Sequence, residues 1–407
     1  MKKKDIMFLC QYSYPEFNSS ATLPFDTARS LVQNGRAVDL LCGWPKEYSQ
    51  TDHISARETV DGVNIQRLRY LQLSRAGKLG RIINFVSFTL AVMLHLGTLR
   101  KYRCVIVYSN PPILPLVCVL ANLLFKTRFV FVVYDVYPEI ASASGEISCS
   151  GMVFRVMNRI NRQVSRRAAG VVALTDEMRD FLLAHRPQLD SSRIVVIPNW
   201  AHEESDKAPA ERVSNGVLVV SYFGNLGICQ DTDTILEALE LLRNDKNVRF
   251  LFAAHGLKKT QIQQCTADYE NVEFLDYLTG EQFLRAAGQC SCGIVSLEPG
   301  LTGMCAPSKY YSYLHSGQAV IAVVDENSFL AQEIRAEQIG NVVAPGDGAQ
   351  LAQLIREMAG RPNETAQMGF RARALYESRY RRDRAMGAYE RLISEVSDDG
   401  LDKGTRK

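Results

Sequence analysis

The chain has 407 residues, of which 46% are hydrophobic and 22% charged, and its formal net charge is +3. This length exceeds what one hydrophobic core usually supports, so we expect two domains of similar size. The composition is typical of a globular protein and excludes disorder over most of the length. The net charge is too small to indicate nucleic-acid binding.

The N-terminal segment, the longest apolar run and the cysteines all bear on localisation. Residues 1–10 have a basic start but only a short apolar run, which is typical of a first strand and not of a signal peptide. The run at 82–97 is shorter than the roughly 20 residues that span a bilayer and is interrupted by Asn84 and His95. The ten cysteines show neither a disulfide framework nor zinc-site spacing. We therefore expect a cytoplasmic protein with reduced thiols.

Strand-like apolar runs alternate with helical patterns along the chain, which predicts an α/β fold with parallel, doubly wound sheets. In the first half we predict strands at 6–10, 38–42, 63–67, 104–108, 129–134, 170–174 and 194–200, and helices at 23–34, 113–125 and 152–168. The second half repeats the alternation, with strands at 217–223, 248–253, 272–275, 293–297 and 320–324, and helices at 233–242, 349–359, 363–378 and 383–396.

Between the two halves, residues 201–216 are polar and have no apolar period, which predicts a linker. The predicted organisation is an N-terminal Rossmann-like domain at 1–200, the linker, a second Rossmann-like domain at 217–380, and a C-terminal helix and polar tail at 381–407. In such folds, ligands bind at the carboxyl ends of the strands.

The most informative stretch lies between the last two predicted strands. It contains a glycine-bearing loop and then a short helix, with Ser308 as a predicted N-cap, Lys309 one residue inside, and Gly317 as the stop. The arrangement aims unpaired N–H groups and a lysine at the mouth of a parallel sheet, which predicts a phosphate site. The alternative is an ordinary surface turn with a solvated lysine.

A second candidate site follows the strand at 129–134. Asp135 and Glu139 form a carboxylate pair in a proline-containing loop, where they could act on a bound hydroxyl as base or orienter. Alternatively, they cap a helix N-terminus. Asp231 and Asp233 resemble a metal-binding pair, but they stand at a helix start, so we predict capping there and no metal.

Residues 67–103 combine basic and apolar character. Arg75, Lys78 and Arg81 precede or begin a run rich in Phe and Leu that is too short to span a membrane, which favours an interfacial helix on anionic lipid. The alternative is a core helix of the first domain with solvated arginines.

Together these features resemble the retaining glycosyltransferases of family 4, which have the GT-B fold, and more narrowly the bacterial branch that builds capsule, exopolysaccharide or O-antigen. The resemblance covers about 390 residues and rests on six pieces in order: Tyr14–Glu16, Asn110–Pro112, Asp135–Glu139, Ile197–Trp200, Gly224–Gly227 and Pro307–Tyr310. It implies two facing Rossmann-like domains with a cleft between them, and a C-terminal helix that packs back on the first domain.

The resemblance also implies the substrates and the sites. The donor is a nucleotide-diphosphate sugar, expected to be a UDP-sugar, and the acceptor a sugar linked to polyprenyl diphosphate at the inner face of the cell membrane, with no cofactor and no metal. The implied catalytic residues are Asp135 and Lys309. The implied donor contacts are Gly224, Asn225, Gly227, Tyr277, Glu298, Ser308, Lys309 and Ser312, and the implied acceptor contacts are Ser19, Ser20, Asp135 and Glu139.

The chain departs from the family pattern at four positions. Two glutamates of the family correspond to Met304 and Ser312, and an Arg and a Lys of the first donor loop correspond to Asn225 and Gln230. Two other functions therefore stay open: a nucleotide-sugar epimerase of the same fold, and a non-catalytic subunit that binds the sugar nucleotide.

Overall fold

The computed structural model describes residues 3–45, 54–74, 77–201, 216–276, 278 and 280–398. The chain divides into two compact units. Unit 1 draws on residues 1–199, 303–306 and 382–407, and unit 2 on residues 200–302 and 307–381. Most of the predicted linker, the polar tail and Tyr277 lie outside the described residues.

Unit 1 is built on an eight-stranded sheet. Its strands are β1 (Lys4–Leu9), β2 (Val38–Gly43), β3 (Arg57–Val60), β4 (Val63–Leu68), β5 (Tyr102–Tyr108), β6 (Arg128–Val132), β7 (Gly170–Ala173) and β8 (Ile194–Val196). Their order in the sheet is β3-β4-β2-β1-β5-β6-β7-β8, and only β3 runs antiparallel to its neighbour. The central strands are continuous apolar runs because helices cover both faces of the sheet.

The helices of unit 1 follow its strands in the doubly wound pattern. They are α1 (Ser19–Gln33), α2 (Lys78–Met93), α3 (Leu96–Leu99), α4 (Pro115–Phe125), α5 (Glu139–Ala143), α6 (Met152–Arg167) and α7 (Asp176–His185). Helix α1 begins four residues before the predicted start, so Ser19 and Ser20 are its first two residues and not part of the preceding loop.

Unit 2 is built on a six-stranded, wholly parallel sheet. Its strands are β9 (Leu218–Asn225), β10 (Val248–His255), β11 (Val272–Phe274), β12 (Cys292–Ser296), β13 (Ala319–Val323) and β14 (Gly340–Val343). The order β11-β10-β9-β12-β13-β14 is that of a Rossmann fold, in which the strand order reverses between the first and the fourth strand. The predicted α/β class with two Rossmann-like parallel sheets is confirmed.

The helices of unit 2 cover both faces of this sheet. They are α8 (Asp233–Leu242), α9 (Lys259–Cys265), α10 (Gly280–Gln289), α11 (Ser308–His315), α12 (Phe329–Ala336), α13 (Gly348–Gly360) and α14 (Pro362–Leu375), and α14 continues into a π-helical turn at Tyr376–Tyr380. Successive strand residues point to opposite faces, so Tyr222 and Phe252 lie in one apolar cluster and Phe223 and Leu251 in the other.

The last helix, α15 (Arg382–Asp398), belongs to unit 1 although it follows unit 2 in the chain. It packs against β5, β6 and α1 and buries Tyr389 and Ile393. A side chain at Gly170 on β7 would place its Cβ 2.9 Å from Leu392, so the glycine makes room for this helix. In the described part of the chain, no helix is both long enough and apolar enough to cross a membrane.

Candidate functional site

The sheet of unit 2 opens at the point where its strand order reverses. Strands β9 and β12 pair only over the first two residues of β12, Val220 with Cys292 and Ser221 with Gly293. Beyond that point the hydroxyl of Tyr313 lies between the strands, accepting from the Phe223 N–H at 2.9 Å and donating to a β12 carbonyl at 3.3 Å. The strands therefore diverge toward their carboxyl ends, which is where such sheets bind ligands.

Two loops that follow adjacent strands meet beside this opening. Gly224, with φ +120°, is the penultimate residue of β9, and Gly256, with φ +110°, follows β10. A Cβ at Gly256 would lie 2.4 Å from Oδ1 of Asn225, and the Leu226 N–H donates to a carbonyl of β10 at 2.7 Å. The two loops approach this closely because position 256 is glycine, and Gly224 supplies a positive φ that other residues rarely adopt. The structure thus brings the predicted donor contacts Gly224 and Asn225 to one edge of the sheet, with Gly227 in the same loop.

Lys309 reaches the same opening from α11. Its side chain is buried, and Nζ donates to the Tyr222 hydroxyl at 2.5 Å and to the Asn225 carbonyl at 3.1 Å. The ammonium also lies 3.9 Å from the centroid of the Tyr222 ring. Burial lowers the pKa of Lys309 to about 7. Among the described residues it makes no ion pair, so a bound anion would supply the missing countercharge.

The N-terminus of α11 differs from the prediction. The N-cap is Pro307, and Ser308 is the first helical residue, so Ser308 does not cap the helix. The reason is local: Pro307 has extended backbone angles that suit a cap position, which moves the serine one residue inward. Ser312, one turn further along, is half-buried. Their donor-binding roles stay predictions.

A second lysine, which the sequence analysis missed, lies on the other side of the loop after β9. Lys258, from the loop after β10, donates to the Gln230 carbonyl at 2.7 Å and to Oε1 of Glu298 at 2.7 Å. The predicted donor contact Glu298 is thus held in an ion pair at the end of β12. Lys258 and Glu298 are separated by forty positions, so no local pattern signals the pair.

In unit 1, Asp135 follows β6 and lies at the carboxyl edge of the sheet. The hydroxyl of Ser109, which follows β5, accepts from the N–H groups of Tyr134 and Asp135 at 3.0 and 3.2 Å. Asp135 lines a small cavity of about 10 Å³ with Ser109, Asn161 and Arg186, which is about the room that one water molecule needs. Burial raises the pKa of Asp135 to about 6.

Glu139 is engaged in a buried ion pair. Both of its carboxylate oxygens accept from Arg186, at 2.7 and 2.6 Å, and the Arg186 side chain is only 3% exposed. Arg186 also donates to the carbonyl of Tyr137 at 3.1 Å. The N-cap of α5 is Pro138, with no side-chain hydrogen bond, so neither carboxylate caps this helix. Both carboxylate oxygens of Glu139 already bind Arg186, so an acceptor hydroxyl would have to share them with this ion pair.

Two further predictions concern the acceptor and metals. Ser19 and Ser20 begin α1, after the loop that follows β1. Asp231 accepts from the Thr234 N–H at 3.1 Å at the start of α8, which agrees with a capping role. Within the described ranges no three His, Cys, Asp or Glu side chains cluster as metal ligands would, and the absence of a metal stays a prediction.

Comparison with known proteins supports a glycosyltransferase and identifies the fold. Residues 25–200 match a family model described as a glycosyl transferase 4-like domain. The probable glycosyltransferase WbjE of Pseudomonas aeruginosa is 27% identical over 287 residues, which cover 67% of this chain and 70% of that protein.

Solved structures resemble the chain over nearly its whole length. Sucrose-phosphate synthase from Thermosynechococcus elongatus matches with a TM-score of 0.75 at 13% identity and covers 97% of this chain and 99% of its own. Anabaena HepE, in complex with UDP and glucose, has a TM-score of 0.68 at 15% identity, with 96% and 100% covered. WaaG, a glycosyltransferase involved in lipopolysaccharide biosynthesis, has a TM-score of 0.66 at 14% identity, with 97% and 98% covered. The neighbours identify the fold as GT-B, and the family match and the relative support a glycosyltransferase of the GT4 type.

Proposed function

We propose that the protein is a retaining, metal-independent glycosyltransferase that moves a hexosyl group from a UDP-sugar to a lipid-linked sugar at the inner face of the cell membrane. The observation that carries the proposal is the buried Lys309 ammonium at the point where the unit 2 strand order reverses. A cation held there, with no carboxylate partner among the described residues, suits the diphosphate of a sugar nucleotide.

The comparisons support the donor class and the setting. HepE has been solved with UDP, with UDP and glucose, and with UDP-glucose. WaaG acts in lipopolysaccharide biosynthesis, which favours bacterial surface polysaccharide as the product. Neither an epimerase nor a non-catalytic subunit is favoured by these relatives.

The proposed chemistry gives separate roles to Lys309 and Asp135. In a same-face substitution the departing diphosphate takes up the acceptor proton, so no protein nucleophile is needed. Lys309 stabilises the negative charge that develops on the leaving group. The carboxylate of Asp135, largely ionised at neutral pH because its pKa is about 6, accepts a hydrogen bond from the acceptor hydroxyl and orients it.

Replacing Asp135 with Asn should reduce sugar transfer more than donor binding, because the carboxylate acts on the acceptor side. The assay follows labelled hexose from UDP-hexose into lipid-extractable product, with membranes as the acceptor source, and compares it with the dissociation constant of UDP. We expect a fall in turnover of roughly 100-fold, the lower range for loss of an acid-base group. Equal losses in donor affinity and turnover would contradict the role of Asp135, and a wild-type protein that releases or transfers no hexose would contradict the proposed function.

The membrane part of the proposal gains support from the surface of α2. Leu79, Ile82, Val86 and Leu90 form one exposed apolar stripe, with exposed fractions of 70, 51, 41 and 57%. The opposite side of the helix buries Phe88 and other residues in the core of unit 1. Helix α2 thus combines the two alternatives from the sequence: it packs on the core and also presents a continuous apolar face.

The basic residues predicted for lipid contact are largely engaged elsewhere. Arg81 forms an ion pair with Glu146 at 2.5 Å, and Lys78 donates to the carbonyls of Gly145 and Glu146. Arg75 lies outside the described residues. The ion pair offsets the charge of Arg81, whereas Lys78 is exposed and stays charged, so the prediction gains from a further source of cations.

Helix α6 offers further cations. It lies near α2, because α4 packs against both helices. Four exposed arginines lie along α6 at helical spacing and make no ion pair within the described ranges, while three exposed apolar residues lie at its start. The arginines are Arg155, Arg159, Arg162 and Arg166, and the apolar residues are Met152, Val153 and Val156. Apolar anchors beside free guanidinium groups are typical of a surface that binds anionic lipid.

Changing these four arginines to Gln should therefore weaken binding to anionic vesicles by about two to three orders of magnitude, at about 1 kcal/mol for each charge. Co-flotation with vesicles of phosphatidylglycerol and phosphatidylcholine at low salt measures the effect. The control removes four exposed charges from unit 2, at Lys246 and at Arg285, Arg335 and Arg361, which pair with surface glutamates. Wild-type protein that fails to float, or a control that weakens binding as much, would contradict the assignment.

A further inference from the structure

We infer that Lys258 is a second cation for the donor diphosphate and that it exchanges its partner Glu298 for phosphate when the donor binds. The inference rests on the proposed function and deepens it. Nothing in the sequence pattern or in the family match assigns a role to this residue.

The first argument is the position of the two lysines around one loop. Lys309 binds the carbonyl of Asn225 at the start of the loop after β9, and Lys258 binds the carbonyl of Gln230 near its end, at 3.1 and 2.7 Å. Their elements follow β12 and β10, the two strands that flank β9 in the sheet. The two ammonium groups therefore hold the same short loop from opposite ends.

The second argument is charge. The loop carries Asn225 and Gln230 where the family pattern has an Arg and a Lys, so it supplies no cation of its own. Each phosphate of a diphosphate linked to a sugar carries one negative charge, and a single buried lysine balances only one of them. Lys258 is a second lysine that donates to this loop among the residues that the structure describes.

The third argument is availability. The Lys258 and Glu298 side chains are 25% and 35% exposed, so water reaches both partners of the ion pair and the ammonium can change partner. The backbone N–H of Lys258 separately donates to the Leu226 carbonyl at 2.9 Å, which keeps the residue in place when its side chain changes partner. A flexible ammonium of this kind is well suited to binding phosphate as a point charge.

The test compares UDP with uridine, which lacks phosphate, by isothermal titration on the full chain. Lys258→Met should raise the dissociation constant of UDP about tenfold and reduce its salt dependence, with uridine binding and the thermal midpoint of the free protein unchanged. The matched control is Lys246→Met. Lys246 is exposed and precedes the amino end of β10, away from the carboxyl ends where the donor is expected, so its replacement should change none of these values.

A second variant distinguishes exchange from a static contact. Glu298→Gln removes the competing carboxylate and should tighten the binding of UDP several-fold relative to that of uridine. If Lys258→Met weakens uridine and UDP equally, Lys258 only holds the loop, and the inference is wrong. UDP binding that Lys258→Met leaves unchanged overturns the role of Lys258 alone, whereas a wild-type protein that binds no UDP overturns the donor assignment and this inference with it.

Discussion

Replacing Lys309 with Ala should lower kcat/KM for the UDP-sugar. We expect a loss of about 2–4 kcal/mol in transition-state stabilisation, comparable to the loss when one donor to a developing oxyanion is deleted. The reason is that Lys309 is the buried cation at the β9–β12 opening, held by Tyr222 and by the loop that follows β9. The fold should survive, because burying an unpaired ammonium costs free energy and its removal relieves that cost. Initial rates with labelled UDP-hexose, together with thermal unfolding, measure both effects.

The pH dependence of donor affinity gives an independent check on Lys309. Because burial lowers its pKa to about 7, the side chain is charged below that pH in the free protein and loses its proton above it. UDP-glucose should therefore bind more tightly at pH 6 than at pH 8, with proton uptake on binding at the higher pH. Lys309→Met should abolish the uptake. Unchanged turnover in Lys309→Ala, or proton uptake that survives in Lys309→Met, would contradict the assignment.

The second large effect is expected at Arg186. Arg186→Ala should lower the free energy of unfolding by about 3–5 kcal/mol, because it leaves the carboxylate of Glu139 partly buried without its partner. It also removes the donor to the Tyr137 carbonyl two residues after Asp135. Chemical denaturation followed by intrinsic fluorescence measures the loss.

Two further variants separate this explanation from a general effect of losing an arginine. Arg193→Ala removes an exposed arginine whose pair with Asp190 spans 3.8 Å and should cost less than about 1 kcal/mol. Replacing Arg186 by Met and Glu139 by Leu together should recover much of the stability, because no charge is then left buried and unpaired. A single variant as stable as Arg193→Ala would show that the buried pair contributes little.

The parts of the fold that could be predicted are those with a local signal. The apolar runs of β5 and β12 identify buried strands, and glycine followed by a polar loop identifies the end of β9. Strand β3 escaped prediction because its residues, Arg57–Val60, are polar or half-exposed and pair at a sheet edge. Edge strands lack the apolar signature on which sequence patterns depend.

In the candidate site, too, residues with a local sequence signal could be predicted and long-range pairs could not. Lys309 was predictable because it stands next to a helix start that a strand and a loop define. Lys258 with Glu298, and Glu139 with Arg186, were not, because each pair joins residues more than thirty positions apart. The order of strands in the sheet decides which loops become neighbours, and that order is a long-range property.

The position of α15 has a consequence for how the chain acquires its structure. Unit 1 needs the last helix to cover β5 and β6, yet the ribosome makes all of unit 2 first, which takes about 10–40 s at usual elongation rates. Until α15 is made, an apolar surface of the nascent N-terminal half stays uncovered. Chaperones and proteases can both bind the chain in this state. A fragment that ends at residue 199 should share this vulnerability permanently, whereas fusion of residues 382–398 to its end should restore a domain that folds alone.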